Sequence, residues 1–193
     1  SGRNPQNIKI VAVTKNFQPE IWKKALNVGL HIIGENRVQE AHLKAKQLSA
    51  TSNIELHFIG HLQSNKVNKA VELFDVIETV DSIKLANKIN KVASKKQKKQ
   101  KIFLQINTSE DPKKHGLAIE NALIVAKSAS TMEHINLLGI MTIPMQNISS
   151  IELTKIYRKT RKLRDIIQKE INTHCNNLSM GMSNDYTIAI KEG

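Results

Sequence analysis

The sequence switches repeatedly between two hydrophobic periods, and that alternation limits the fold more than any other feature. Strand-like runs occupy Ile8–Thr14, His31–Ile33, Glu55–Ile59, Asp75–Val80, Lys101–Asn107, Ile135–Ile143 and Leu178–Met180. Between them lie stripes at helical spacing: Trp22, Ala25, Leu26 and Gly29; Val38, Ala41, Ala45 and Leu48; Val67, Ala70, Val71 and Phe74; Leu85, Ala86, Ile89, Val92 and Ala93. Residues 117–130 are helical in composition, and a long stripe runs from Leu153 to Ile171. No Pro- or Gly-rich linker divides these units, so residues 1–193 are expected to form a single domain. Repeated strand–helix units call for a parallel α/β sheet covered by helices. Two closures fit, a doubly wound open sheet or an eight-fold barrel, and for the barrel seven units leave the chain one strand short. No apolar run reaches the length of a membrane-spanning helix, and a membrane partner is not expected.

In either closure, chemistry collects at the carboxyl ends of the strands. Small, amide and hydroxyl residues gather there: Gly34-Glu35-Asn36, Gly60-His61 with Gln63-Ser64-Asn65, Asn107-Thr108-Ser109, Met141-Thr142, and Ser179 to Asp185. Lys15 ends the first strand. Alternation places it on the face of Val11 and Val13, an apolar interior face where desolvation would free its amine as a nucleophile toward an aldehyde. A lysine that snorkels out at a strand end has the same spacing. The segment Ser179–Asp185 reads as a strand–turn–helix junction. Ser183 or Asn184 would cap a helix over Asp185–Lys191, and the exposed N–H groups would suit a phosphate. A lysine nucleophile and a phosphate cup on one rim together suit pyridoxal phosphate. No metal site is expected: His57 and His61 flank a strand end and Gly60, without carboxylate or Cys at ligand spacing. The single cysteine, Cys175, reads as a buried small hydrophobe and excludes a disulfide framework, so the expected setting is reducing and cytoplasmic.

A formal net charge of +12 suggests nucleic acid, but the residue types oppose it. Of 29 basic residues, 24 are Lys and 5 are Arg, and aromatics make up 4%. Base and phosphate readers favour Arg, and single-strand binders need stacking platforms. The densest run, Lys95 to Lys101, follows a helical pattern and reads as a solvated helix end.

Six segments, VAVTK ending at Lys15, IGENRVQE (33–40), LHFIGHLQSNK (56–66), QINTSEDPKKHG (105–116), LLGIMTIP (137–144) and LSMGMSND (178–185), resemble the pyridoxal phosphate homeostasis family in its own order. The resemblance implies a (β/α)8 TIM barrel like the N-terminal domain of alanine racemase. Against that pattern the chain is truncated at both ends, with the first helix and the last strand missing. It implies a Schiff base between Lys15 and pyridoxal 5'-phosphate, with Ser179, Gly181, Met182 and Ser183 holding the phosphate. It also implies Asn36, His57, Ile59, Ser64 and Met141 near the cofactor. It implies a carrier or regulator rather than an enzyme, with apo pyridoxal phosphate-dependent enzymes as recipients. Tyr157 and Tyr186 lie in no racemase-like motif, so directed proton transfer is not expected. A monomer is expected, since the helical stripes are used up in covering a barrel.

Overall fold

A computed structural model of the chain describes residues 2–47 and 53–193, and Leu48 of the second stripe lies outside them. The strands are β1 (Val11–Val13), β2 (Ile32–Glu35), β3 (Glu55–Phe58), β4 (Val76–Val80), β5 (Gln100–Gln105), β6 (Ile135–Met141) and β7 (Asn177–Ser179). The helices are α1 (Glu20–Asn27), α2 (Val38–Gln47), α3 (Val67–Leu73), α4 (Ile83–Lys95), α5 (Ile119–Ser130), α6 (Ser150–Glu170) and α7 (Tyr186–Glu192). Among the described residues the strands form one sheet in chain order, every neighbouring pair parallel, with β1 and β7 as its edges. The sheet curls as a barrel wall does. Ser179 Oγ on β7 donates to Glu78 Oε2 on β4 at 2.5 Å, a chord across three strands that a flat sheet would not permit. The described strands therefore form a curled half-barrel of the TIM-barrel type, and the doubly wound alternative is set aside.

Alternation divides the apolar residues into two clusters. Ile33, Ile77, Ile102, Leu104, Leu137 and Ile140 face outward and pack beneath the helices in the main core. Val76, Phe103 and Met141 face inward and form a small cluster inside the barrel. A register shift in β4 between Ile77 and Val80 falls on Glu78 and Thr79. Alternation from Val76 points the Glu78 carboxylate inward, and the shift returns Val80 to the outer core beside Ile77, while Thr79 Oγ1 donates to Gly60 O on the neighbouring loop at 2.5 Å. The first strand is shorter than the apolar run Ile8–Thr14 suggests. Residues Pro5–Asn7 turn as a short 3-10 segment, and an edge strand has partners on one side only.

The lysine-rich run is not simply a solvated helix end. α4 stops at Lys95, the chain turns at Gln97, and β5 starts at Gln100. Lys96 pairs with Glu72, and Lys101 reaches into the barrel to Glu55 at 2.8 Å. Lys98 Nζ donates to Val71 O at 2.8 Å, at the carboxyl end of α3, and burial lowers its pKa. Cys175 is fully buried, as expected, and burial pushes its thiol up to about 12. No helix among the described residues is long and apolar enough to cross a membrane.

A candidate cofactor site at the barrel mouth

Lys15 follows β1 at the carboxyl rim, and the residues on either side of it are pinned from behind. Glu35, fully buried on the outer face of β2, is the centre of the anchor. Thr14 Oγ1 donates to Glu35 Oε1 at 2.6 Å, and Trp22 Nε1 on α1 donates to the same oxygen at 3.1 Å. Lys44 on α2 donates to Glu35 at 2.7 Å, to Glu40 at 2.8 Å and to Thr14 O at 2.7 Å. Glu40 in turn accepts from Asn16 N at 2.7 Å. Burial raises the Glu40 pKa, but the Lys44 and Asn16 hydrogen bonds outweigh it and hold the carboxyl below its usual range. Thr14 is tied outward, and Lys15 follows it in a turn that continues through Asn16, at φ 67°. The sequence expectation of a desolvated ammonium is not met: Lys15 is exposed, and so is Val13 two residues before it. β1 is an edge of the sheet among the described residues, and Lys15 lies beyond its end, in the turn that follows.

Inside the barrel, a second buried carboxylate organises the opposite side of the mouth. His57 on β3 places Nδ1 2.5 Å from Glu78 Oε1, and Ser179 donates to the other oxygen. His57 Nε2 and Asn36 Oδ1 are buried with no hydrogen-bond partner among the described residues. Ile59, Gly34 and Val11 meet at the same mouth: a Cβ on Gly34 would touch both neighbours at about 3 Å. Met141 is buried with Phe103 beneath them. Ser64 is exposed at the start of a 3-10 turn, Ser64–Lys66, on the loop after β3, the most peripheral of the expected residues.

The turn after β7 presses against α7. Gly181 has φ +93°, and a Cβ there would come within 2.8 Å of the Ala189 side chain, so glycine is required. α7 starts at Tyr186, one residue later than expected, and Asp185 rather than Ser183 or Asn184 is its cap residue. Asp185 makes no cap bond; its carboxylate accepts from Met182 N at 2.6 Å and folds the turn back on itself. Met182 and Ser183 are exposed. α7 is held to α6 by Arg158, whose Nε and Nη2 donate to the two Glu192 oxygens at 3.0 and 2.8 Å. The Arg158 bond holds Glu192 below the usual carboxylate range. Tyr157 is fully buried, and burial first, Asp185 second, push its phenol well above its ordinary value. It is a protonated scaffold group.

Sequence reasoning found the rim, Glu35 included, but not the anchoring role of Glu35, and it missed Glu78 and Lys44. Lys44 sits on the face of α2 that charge would assign to solvent, yet it is 2% exposed. A groove of about 540 Å³ between the α5–β6 turn and the carboxyl end of α6 lies on the opposite rim. Ligand sites of parallel barrels lie at the carboxyl ends of the strands, so the mouth is the better candidate.

Residues 4–192 match the family described as alanine racemase, N-terminal domain. The chain is 35% identical over 193 residues to the pyridoxal phosphate homeostasis protein of Aquifex aeolicus, spanning 100% of this chain and 84% of that protein. It is 31% identical to PipY of Synechococcus elongatus, whose structure was solved with pyridoxal phosphate bound, at a TM-score of 0.92 over 99% of this chain and 89% of that one. Alanine racemase of Clostridium difficile, 16% identical, superimposes at a TM-score of 0.74 over 90% of this chain and 48% of its own, a likeness of fold alone.

Proposed function

Since the chain belongs to the pyridoxal phosphate homeostasis branch of the alanine racemase N-terminal domain family, we propose that it binds pyridoxal 5'-phosphate at this mouth and acts as an intracellular carrier or regulator of it. The observation that carries this proposal is an arrangement. The lysine that follows one sheet edge and the glycine turn that follows the other share one rim, with Asn36 Oδ1 and His57 Nε2 buried without a hydrogen-bond partner, the latter 3.9 Å from Glu55 Oε2. Those atoms fit a polar heterocycle better than an apolar ligand.

In this arrangement the Lys15 amine attacks the aldehyde and releases water, holding the ligand as a Schiff base. Ser179, Gly181, Met182 and Ser183 wrap the phosphate, Ile59 and Met141 give apolar contact, and Asn36, His57 and Ser64 offer polar contact. Bound here, the cofactor supplies an electrophilic carbon that can be passed to a recipient enzyme's own lysine. Glu78 keeps His57 and Ser179 in place without itself facing the ligand. The site is read as one that holds rather than turns over, in keeping with relatives named for homeostasis. The partners are then pyridoxal phosphate and apo forms of enzymes that use it, and the carrier is a monomer working in the cytoplasm.

The test is borohydride reduction of the loaded protein followed by peptide mass spectrometry. A single reduced adduct on Lys15, and no visible band in Lys15→Ala, is expected. An adduct spread over surface lysines would remove the assignment, and steady racemisation of L-alanine abolished by Lys15→Ala would replace a carrier by an enzyme.

A further inference from the structure

Three loops on the same rim bring together side chains that the proposed cofactor site does not use. His61 follows β3, Asp81 follows β4, and His115 lies on the connection between β5 and α5. The nearest donor atoms of the three all lie within 4.8 Å of one another. His61 Nδ1 is 3.5 Å from Asp81 Oδ2, and the His61 and His115 rings stack with centroids 3.9 Å apart and planes 13° from parallel.

The backbone beneath this cluster is unusually constrained. Gly60, just before His61, lies so close to Asn36 O that a Cβ would sit 2.2 Å from it, and its own carbonyl is held by Thr79. Gly116, just after His115, has φ +127° and would put a Cβ 2.7 Å from Asn107 N. The His115 carbonyl accepts from Gln105 Nε2 at 3.2 Å, and Leu117 is bridged to Ile106 in a parallel pairing. Both imidazoles therefore project from fixed backbone, while the rings themselves are exposed.

We infer that His61, Asp81 and His115 form a binding site for a divalent transition metal of the zinc class. Two imidazoles and one carboxylate are the donor set such ions select, and three protein ligands leave a fourth position for water or a ligand oxygen. Bonds of about 2.0–2.2 Å to a tetrahedral ion require donors roughly 3.3 Å apart with ring planes that converge on the ion. The stacked rings reach that geometry by rotation about their own side-chain bonds, which solvent exposure leaves open. The separation of the three residues in sequence hides the site from any spacing motif.

Zinc titration of the untagged full chain by calorimetry tests the site, with cobalt as a spectroscopic substitute. One ion per chain and the intense visible bands of tetrahedral cobalt are expected. Substituting alanine at His61, Asp81 or His115 should weaken zinc at least ten-fold each, while His174→Ala, on the opposite rim, should not. These side chains lie at the surface, and circular dichroism checks that each variant folds. No uptake by the wild-type chain, or uptake that survives His61→Ala with His115→Ala, overturns the assignment. The readout does not involve pyridoxal phosphate, so it stands or falls apart from the proposed carrier function.

Discussion

Two buried glutamates, on either side of one sheet wall, are used in opposite ways. Glu35 lies behind β2 among α1 and α2, beside a lysine, a tryptophan and a threonine that never meet a ligand. Glu78 lies inside the barrel, beside a histidine and a serine of the proposed cofactor site. The first carboxylate is paired with Lys44, which with Glu40 fixes backbone on both sides of Lys15. The second is matched by polar groups and fixes side chains. A permanent charge suits a joint that must stay shut, whereas imidazole and hydroxyl partners leave the inner face able to adapt to what binds there.

The largest effect should come from breaking the outer joint. Lys44→Met leaves Glu35 buried without its cation and should cost about 3–5 kcal/mol of unfolding free energy, measured by urea denaturation. Pairing it with Glu35→Gln should recover most of that loss, because the penalty belongs to the orphaned charge; no recovery would mean that Lys44 acts by packing. Inside the barrel the order should reverse. Glu78→Gln should cost only about 1–2 kcal/mol in the same melt but weaken pyridoxal phosphate roughly ten-fold or more, followed by absorbance titration. Ser179→Ala should weaken it less, about three- to ten-fold, with stability almost unchanged.

The smallest effect concerns acid. Glu40 titrates lower in the folded chain than in the unfolded one, so its contribution is complete above the ordinary carboxylate range. It is lost as pH falls through the lower folded value. The gap between wild type and Glu40→Gln in urea midpoint should therefore be present at neutral pH and close by about pH 2. A gap that persists in acid would show that the Asn16 anchor does not depend on charge.

How much of this the sequence displays follows from the range of the interactions. Order and type of the strand–helix units are written in local periodicity, and Lys15, Asn36 and the Gly181 turn fall where strands end. Glu78 is invisible because its partner is distant, Ser179 standing 101 residues away, and the role of Glu35 is hidden because its nearby cation, Lys44, reads as a surface charge. Lys44 misleads because its charge predicts solvent. Lys15 was over-read in one respect, since its exposure depends on which strands flank it, and alternation along one strand carries no information about neighbours.

The two halves of the proposed cofactor site stand on the two edges of the sheet, β1 and β7. A molecule gripped by both would tie the first and last strands of the described sheet to each other. Occupancy would then report on assembly: a chain whose β7 has not yet docked should present the lysine without the turn, and so bind only loosely. Loading and docking become one linked equilibrium, in which ligand concentration sets how firmly β7 is held.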